Sequence, residues 1–219
     1  MTAMRLDVWQ SLHDDLHPGV QPDQETFAVA LGPRQVLLPI RALPDSDRGV
    51  ASLILNQASF DVLDALAATV AEGLRAHAPE IIVAVPTLGL PLAEAVARRL
   101  GHPRMVPLGN SRKFWYDDAL SVPMSSITTP GGGKRLYLDP RMLPLLDGRR
   151  VAVVDDVLST GSSIAAVLDV LALAGVVPVA LGAAMLQGES WAGKVGDMPV
   201  CAAFRTPILA RAGAGWVAP

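Results

Sequence analysis

Among 219 residues there is a single cysteine, Cys201, so no internal disulfide can brace the chain, and the lone thiol agrees with a reducing compartment. Aromatic residues are scarce at 5%, and charged residues make up only 18%. No dense Lys/Arg run occurs, and the formal net charge is −3, so nothing in the electrostatics draws in a polyanion and no nucleic-acid partner is expected. Long apolar runs are missing too: stretches such as residues 176–186 reach about eleven residues, whereas a membrane-spanning helix needs about twenty. The first ten residues carry Arg5, Asp7 and Trp9 and lack the basic end and apolar run of a secretory signal. The expectation is a soluble, cytoplasmic protein without a membrane partner. What is present is apolar material, 51% of the chain, enough for one sizeable core.

The texture of the chain changes near residue 58. Before it, Pro18, Pro22, Pro33, Pro39 and Pro44 interrupt every period, and the only regular elements expected are two short strands, residues 27–31 and 35–40, turned by Gly32, Pro33 and Arg34. After it, helices and strands alternate. Phe60, Leu63, Leu66, Val70 and Leu74 fall at three- and four-residue spacings, with Asp61 and Asp64 near the start, which predicts an amphipathic helix ending near Pro79. The β-branched run at 81–85 predicts a strand, followed by a helix over 91–100 that stops at Gly101. Further strands are expected at 105–108, at 151–154 and within 176–185, and a helix over 164–173 ending at Gly175. Apolar strands separated by helices, without polar alternation, predict an α/β fold with a mostly parallel sheet covered on both faces. Ligands of such sheets bind beyond the carboxyl ends of the strands, which directs attention to the loops at 86–90 and 155–163.

The second of these loops carries the strongest motif. Four apolar residues, Val151 to Val154, lead into Asp155, Asp156, Val157, Leu158, Ser159, Thr160, Gly161, Ser162 and Ser163, and then a helix begins. Gly161 and its small neighbours let backbone N–H groups turn inward around a phosphate, the helix N-terminus adds partial positive charge, and four hydroxyls offer donors. Two adjacent carboxylates would repel a phosphate, so they suit either the hydroxyls of a sugar or a magnesium ion. Either half alone has an everyday structural explanation, a helix cap or a solvated acidic pair.

Taken in order, the strand, acidic pair, hydroxyl-and-glycine loop and helix of residues 151–163 resemble the phosphoribosyltransferases of the type I fold, and match their signature without a gap. The resemblance implies a parallel core flanked by helices over 58–219 and a small hood from 1–57. It implies that Asp155 and Asp156 engage the ribose hydroxyls of 5-phosphoribosyl-1-pyrophosphate and carry a catalytic role, with magnesium as cofactor. The loop from Val157 and Leu158 through Ser159, Thr160, Gly161, Ser162 and Ser163 would hold the 5-phosphate. Thr87, Leu88 and Gly89 stand where the family places its pyrophosphate loop, although the same residues also read as an ordinary strand-to-helix turn. Adenine-type members commonly carry Arg at the position of Leu88, so the cations for pyrophosphate are sought elsewhere. Arg112 and Lys113, where purine-directed members carry a basic pair, are the candidates, with Lys113 as a catalytic cation; an isolated basic pair is otherwise plain solvated surface.

Phe114, Trp115 and Tyr116 form the densest aromatic cluster and read as a packing or subunit-interface anchor in a homodimer. Residues 121–134, rich in hydroxyls and glycine, read as a mobile lid in which Lys134, Ser125, Ser126, Thr128 and Thr129 contact substrate. The glutamate that adenine-specific relatives carry there is missing. The base would be selected by a hood built from 27–40 and 200–209. The activity implied is transfer of the phosphoribosyl group to a purine, adenine-type in layout, with xanthine, guanine or a pyrimidine as other acceptors. The alternative of another class is a protein that senses the donor without turning it over, and Met1 to Val50 lack the basic helix-turn-helix such regulators add.

Overall fold

The protein is described by a computed structural model covering residues 7–124 and 135–219. The first five strands, β1 (Leu12–His13), β2 (Gly19–Val20), β3 (Thr26–Leu31), β4 (Arg34–Ala42) and β5 (Arg48–Ala51), pair antiparallel. The expected hairpin is present as β3 and β4, with Gly32 at φ +59° in the turn. Helix α1 (Phe60–Arg75) is capped by Ser59, whose hydroxyl accepts from the amide of Val62, and it buries Val62, Leu66, Val70 and Leu74. Then come β6 (Ile81–Ala84), α2 (Gly89–Arg99), β7 (Val106–Pro107), a small hairpin of β8 (Ser121–Pro123) and β9 (Arg135–Tyr137), β10 (Val151–Leu158), α3 (Ser162–Leu173) and β11 (Ala180–Gln187). A short helix α4 (Ala192–Val195) precedes β12 (Val200–Thr206), β13 (Ile208–Ala212) and β14 (Gly215–Val217).

Strands β6, β7, β10, β11 and β12 form an all-parallel sheet in the order β12-β11-β10-β6-β7. Every residue of β6 and β11 is buried, as a strand covered on both faces requires. The two-residue alternation divides their side chains between two cores. Ile82, Ala84, Ala152 and Val154 pack with α1, α2 and the antiparallel sheet; Ile81, Val83, Val151 and Val153 pack with α3 and β9. The mostly parallel sheet flanked by helices is therefore present, with a larger antiparallel companion than expected.

Several boundaries differ from the sequence reading. Strand β10 runs on to Leu158, because Val157 and Leu158 keep pairing with Met185 and Leu186 of β11; the acidic pair lies inside the strand rather than after it. Helix α3 begins at Ser162, two residues early, so Ser162 and Ser163 form its first turn. Strand β7 is only two residues long, and the Leu108 amide just beyond it still donates to the Ala84 carbonyl at 3.0 Å. Residues 200–206, expected to contribute to the hood, are the edge strand of the parallel sheet; the chain crosses to the antiparallel sheet only at Ile208, where β13 pairs with β5. Lys134, Ser125, Ser126, Thr128 and Thr129 lie outside the described residues. Among the described residues no helix is long and apolar enough to cross a membrane.

One close contact limits the core. Gly182, in the middle of β11, faces α1, and a β-carbon there would lie 2.8 Å from Val70 Cγ1 and 3.1 Å from Leu74 Cδ1. Gly182→Val should therefore overpack the junction and cost roughly 1–3 kcal/mol, read as a lowered midpoint in urea unfolding. An unchanged midpoint would mean that α1 can back away from the sheet freely.

Candidate active site

The carboxyl ends of β6, β10 and β11 gather the residues singled out from the sequence. At β10, Asp155 is 5% exposed and Asp156 half-buried. The amide of Asp156 donates to Asp155 Oδ1 at 2.8 Å. Burial pushes the Asp155 carboxyl well above the usual carboxylate range, and the neighbouring charge of Asp156 pushes it further. Asp156 is also raised, chiefly by burial. The pair therefore holds its protons to higher pH than exposed carboxylates do, and no cationic side chain among the described residues offsets its charge.

Behind the pair, the chain turns through Ser159 and Thr160 into Gly161, which adopts φ +79°. A β-carbon at Gly161 would lie 3.0 Å from Trp191 Cα and 2.7 Å from Lys194 Cγ, so both conformation and space require glycine. Gly161 is the N-cap of α3 and has no side chain to cap it; the Ser162 amide donates to Thr160 Oγ1 at 3.4 Å, and the remaining first-turn amides make the helix end suited to an anion. Thr160 and Ser162 hold one another through their hydroxyls at 3.1 Å. The Ser159 hydroxyl donates to Gln187 Oε1 at 3.1 Å, and Gln187 Nε2 donates to the Ala51 carbonyl at 2.9 Å. Val157 and Leu158 belong to β10, Val157 partly buried and Leu158 buried.

The turn after β6 approaches the acidic pair from the neighbouring strand. The Pro86–Thr87 peptide is cis, Leu88 is the N-cap of α2, and Gly89 opens the helix. A side chain on Gly89 would begin 2.9 Å from Asp155 Oδ1 and 3.0 Å from its Cα, so glycine lets the N-terminus of α2 rest on the carboxylate strand. Asn110 Nδ2 donates to Thr87 Oγ1 at 3.0 Å and ties this turn to the segment after β7.

The basic pair beyond Asn110 divides. Arg112 forms a two-pronged pair with Asp118, at 2.9 and 3.1 Å. Lys113 is exposed and makes no side-chain hydrogen bond or ion pair with any described residue. Phe114 is 92% exposed, while Trp115 donates to Asp139 and lies under Arg141, whose guanidinium stands 5.0 Å from its ring centroid. Three participants escaped sequence reasoning: Gln187, Asn110 and Lys194. Only Gln187 left a signal, as the one amide at the end of an otherwise apolar strand.

Residues 50–201 match the family model described as the phosphoribosyl transferase domain. A hypoxanthine/guanine phosphoribosyltransferase of Methanosalsum zhilinae is 35% identical over 95 residues, 43% of this chain and 45% of that protein, so the chain spans less than half of this relative. An adenine phosphoribosyltransferase of a Roseiflexus species is 32% identical over 146 residues, 63% of this chain and 78% of that protein. Among solved structures, the adenine phosphoribosyltransferase of Thermoanaerobacter pseudethanolicus superposes with a TM-score of 0.61 at 20% identity, covering 76% of this chain and 95% of that one, which establishes the shared fold.

The buried acidic pair has a consequence for stability. Its folded-state titration lies above the unfolded value of about 3.9, so the folded state binds more protons than the unfolded one. The stability associated with the protonated pair is complete below about pH 4 and is lost as pH rises through the raised folded-state range. Asp155→Asn removes the group that must be discharged. The variant should match the wild type in acid and become progressively more stable than it as pH rises, measured by urea unfolding across pH. A variant that is less stable at neutral pH would show that Asp155 is ionised and well partnered.

Proposed function

The chain belongs to the phosphoribosyl transferase family, and from that membership we propose that it transfers the phosphoribosyl group of 5-phosphoribosyl-1-pyrophosphate to a purine base. The products are a nucleoside 5′-monophosphate and pyrophosphate. The observation that carries this reading is the continuous geometry of residues 155–163: an acidic pair enclosed in the last half of β10, a left-handed glycine, and the first turn of α3 directly after it. An adenine-type acceptor is favoured by likeness to the Roseiflexus protein, which bears that name. Leu88 and the lack of glutamate in 121–134 are the features that argue for another base.

In this reading Asp155 and Asp156 bind the ribose hydroxyls, Val157 and Leu158 lead the strand into the loop, and residues 160–163 cradle the 5-phosphate with backbone amides and the hydroxyls of Thr160, Ser162 and Ser163. Pyrophosphate lies along Thr87, Leu88 and Gly89, near the positive end of α2. The bond from the anomeric carbon to pyrophosphate breaks, a ring nitrogen of the base forms the new bond, and the proton of that nitrogen is released. The protein contributes position and charge rather than covalent chemistry. Lys113 is the cation of the basic pair that remains uncommitted to a described residue, and it supplies charge to the leaving group.

Among the described residues no group of three or more His, Cys, Asp or Glu side chains could hold a metal. The acidic pair suits a magnesium ion that keeps phosphate oxygens and waters in its shell and needs only one or two carboxylates. Bound there, magnesium would neutralise charge on the leaving pyrophosphate. Phe114, exposed beside Trp115, supports a homodimer joined near this loop, and a cytoplasmic location agrees with the reading.

The test is pyrophosphate release from protein, magnesium and donor with each base in turn. The expected result is turnover with a purine, and adenine first. Donor binding without release for any base would instead identify a sensor. Lys113→Ala should lower turnover by about a hundredfold while leaving the affinity for ribose 5-phosphate within about twofold. Equal losses in both would make Lys113 structural.

A further inference from the structure

Strand β11 ends in Gln187, a side chain that stands between two parts of the molecule. Its carboxamide is 8% exposed at the residue level and spans from Ser159, in the phosphate loop, to Ala51, the last residue of β5. A backbone carbonyl can only accept, so the amide nitrogen must face Ala51 and the amide oxygen must face Ser159. Ser159 then has to be the donor. A hydroxyl has one proton, and this one is committed to Gln187, so it is withheld from a phosphate while the link stands. Ala51 in turn sits opposite Ile40 of β4, and its neighbour Val50 sits opposite both Arg41 of β4 and Ile208 of β13. The strand gripped by Gln187 is thus internal to the antiparallel sheet, and a shift of Ser159 is passed to three of its strands.

We propose that Gln187 is a positioning residue that couples the phosphate loop to the antiparallel sheet through Ser159 and Ala51, and that Ser159 serves this link rather than donating to phosphate. The proposal rests on the reading of residues 160–163 as the phosphate site. Occupancy of that site by the 5-phosphate fixes the loop, the loop fixes Gln187, and Gln187 fixes β5. By reciprocity, a ligand that orders β5 tightens the phosphate site by the same factor.

Hydrogen exchange with ribose 5-phosphate as the probe tests this without requiring turnover. In the wild type, saturating ribose 5-phosphate should slow amide exchange at 160–163 by direct contact, and at 48–51 by about fivefold or more through the link. Ser159→Ala, and separately Gln187→Met, should keep the slowing at 160–163 and reduce that at 48–51 to less than about twofold. Thermal melting without ligand shows whether each variant is folded; should Gln187→Met fail to fold, Ser159→Ala, which removes one hydroxyl from the loop, still decides. Slowing at 160–163 with none at 48–51 in the wild type, or slowing at 48–51 that survives in Ser159→Ala, overturns the coupling and leaves the phosphate site standing. No slowing anywhere in the wild type overturns the phosphate-site reading and the coupling with it.

Discussion

A carboxyl group buried inside an otherwise largely apolar strand is the constraint from which the rest of the site follows. Asp155 lies inside β10, one residue past the last pairing with β6 and still paired with β11, and it is enclosed because Gly89 lets α2 descend onto the strand. Burying a carboxylate without a cation is expensive, so the group stays protonated or waits for a ligand that satisfies it. Such a site is unfinished by construction. The same enclosure that penalises the charge in the free protein strengthens whatever a sugar hydroxyl or a cation contributes once water is displaced.

The neighbouring turns answer to this constraint. Gly89 must lack a side chain because Asp155 is already there, and Gly161 must lack one because Trp191 is. Both glycines therefore serve as points of contact between elements, in addition to whatever backbone freedom they give. Each of the two loops is held from outside by a long-range hydrogen bond, from Asn110 to Thr87 in the turn after β6 and from Ser159 to Gln187 in the loop after β10. Loops braced in this way reach a ligand with less ordering left to do.

Much of this was legible in the sequence wherever the signal was local. The periodicity of Phe60 to Leu74 located α1, although the helix stops at Arg75, short of the expected end near Pro79, and the β-branched run located β6. The order of residues 151–163 pointed to the family, because strand, acidic pair and glycine turn follow one another without interruption. What stayed hidden was pairing at a distance. Nothing in Val157 and Leu158 announces that β11 will extend the strand through the acidic pair, and nothing in Ile208 to Ala212 announces β5 as partner. The pairing of Arg112 with Asp118 was likewise invisible, since six residues of irregular chain carry no period from which to infer a contact.

The antiparallel sheet is assembled from two regions far apart in the chain. Strands β1 to β5 come early, but the second edge of β5 is covered only when β13 arrives, after the whole parallel sheet has been laid down. During synthesis, β5 therefore emerges with an open row of backbone donors and acceptors and must wait for its partner. An open edge of that kind is an invitation to the wrong strand, from the same chain or from another. Arg48 and Gly49 in that short strand, with Asp47 just before it, are poor material for such an accident, being charged or lacking a side chain to pack. The polarity of this strand is thus a safeguard of the nascent chain as much as a property of the finished surface.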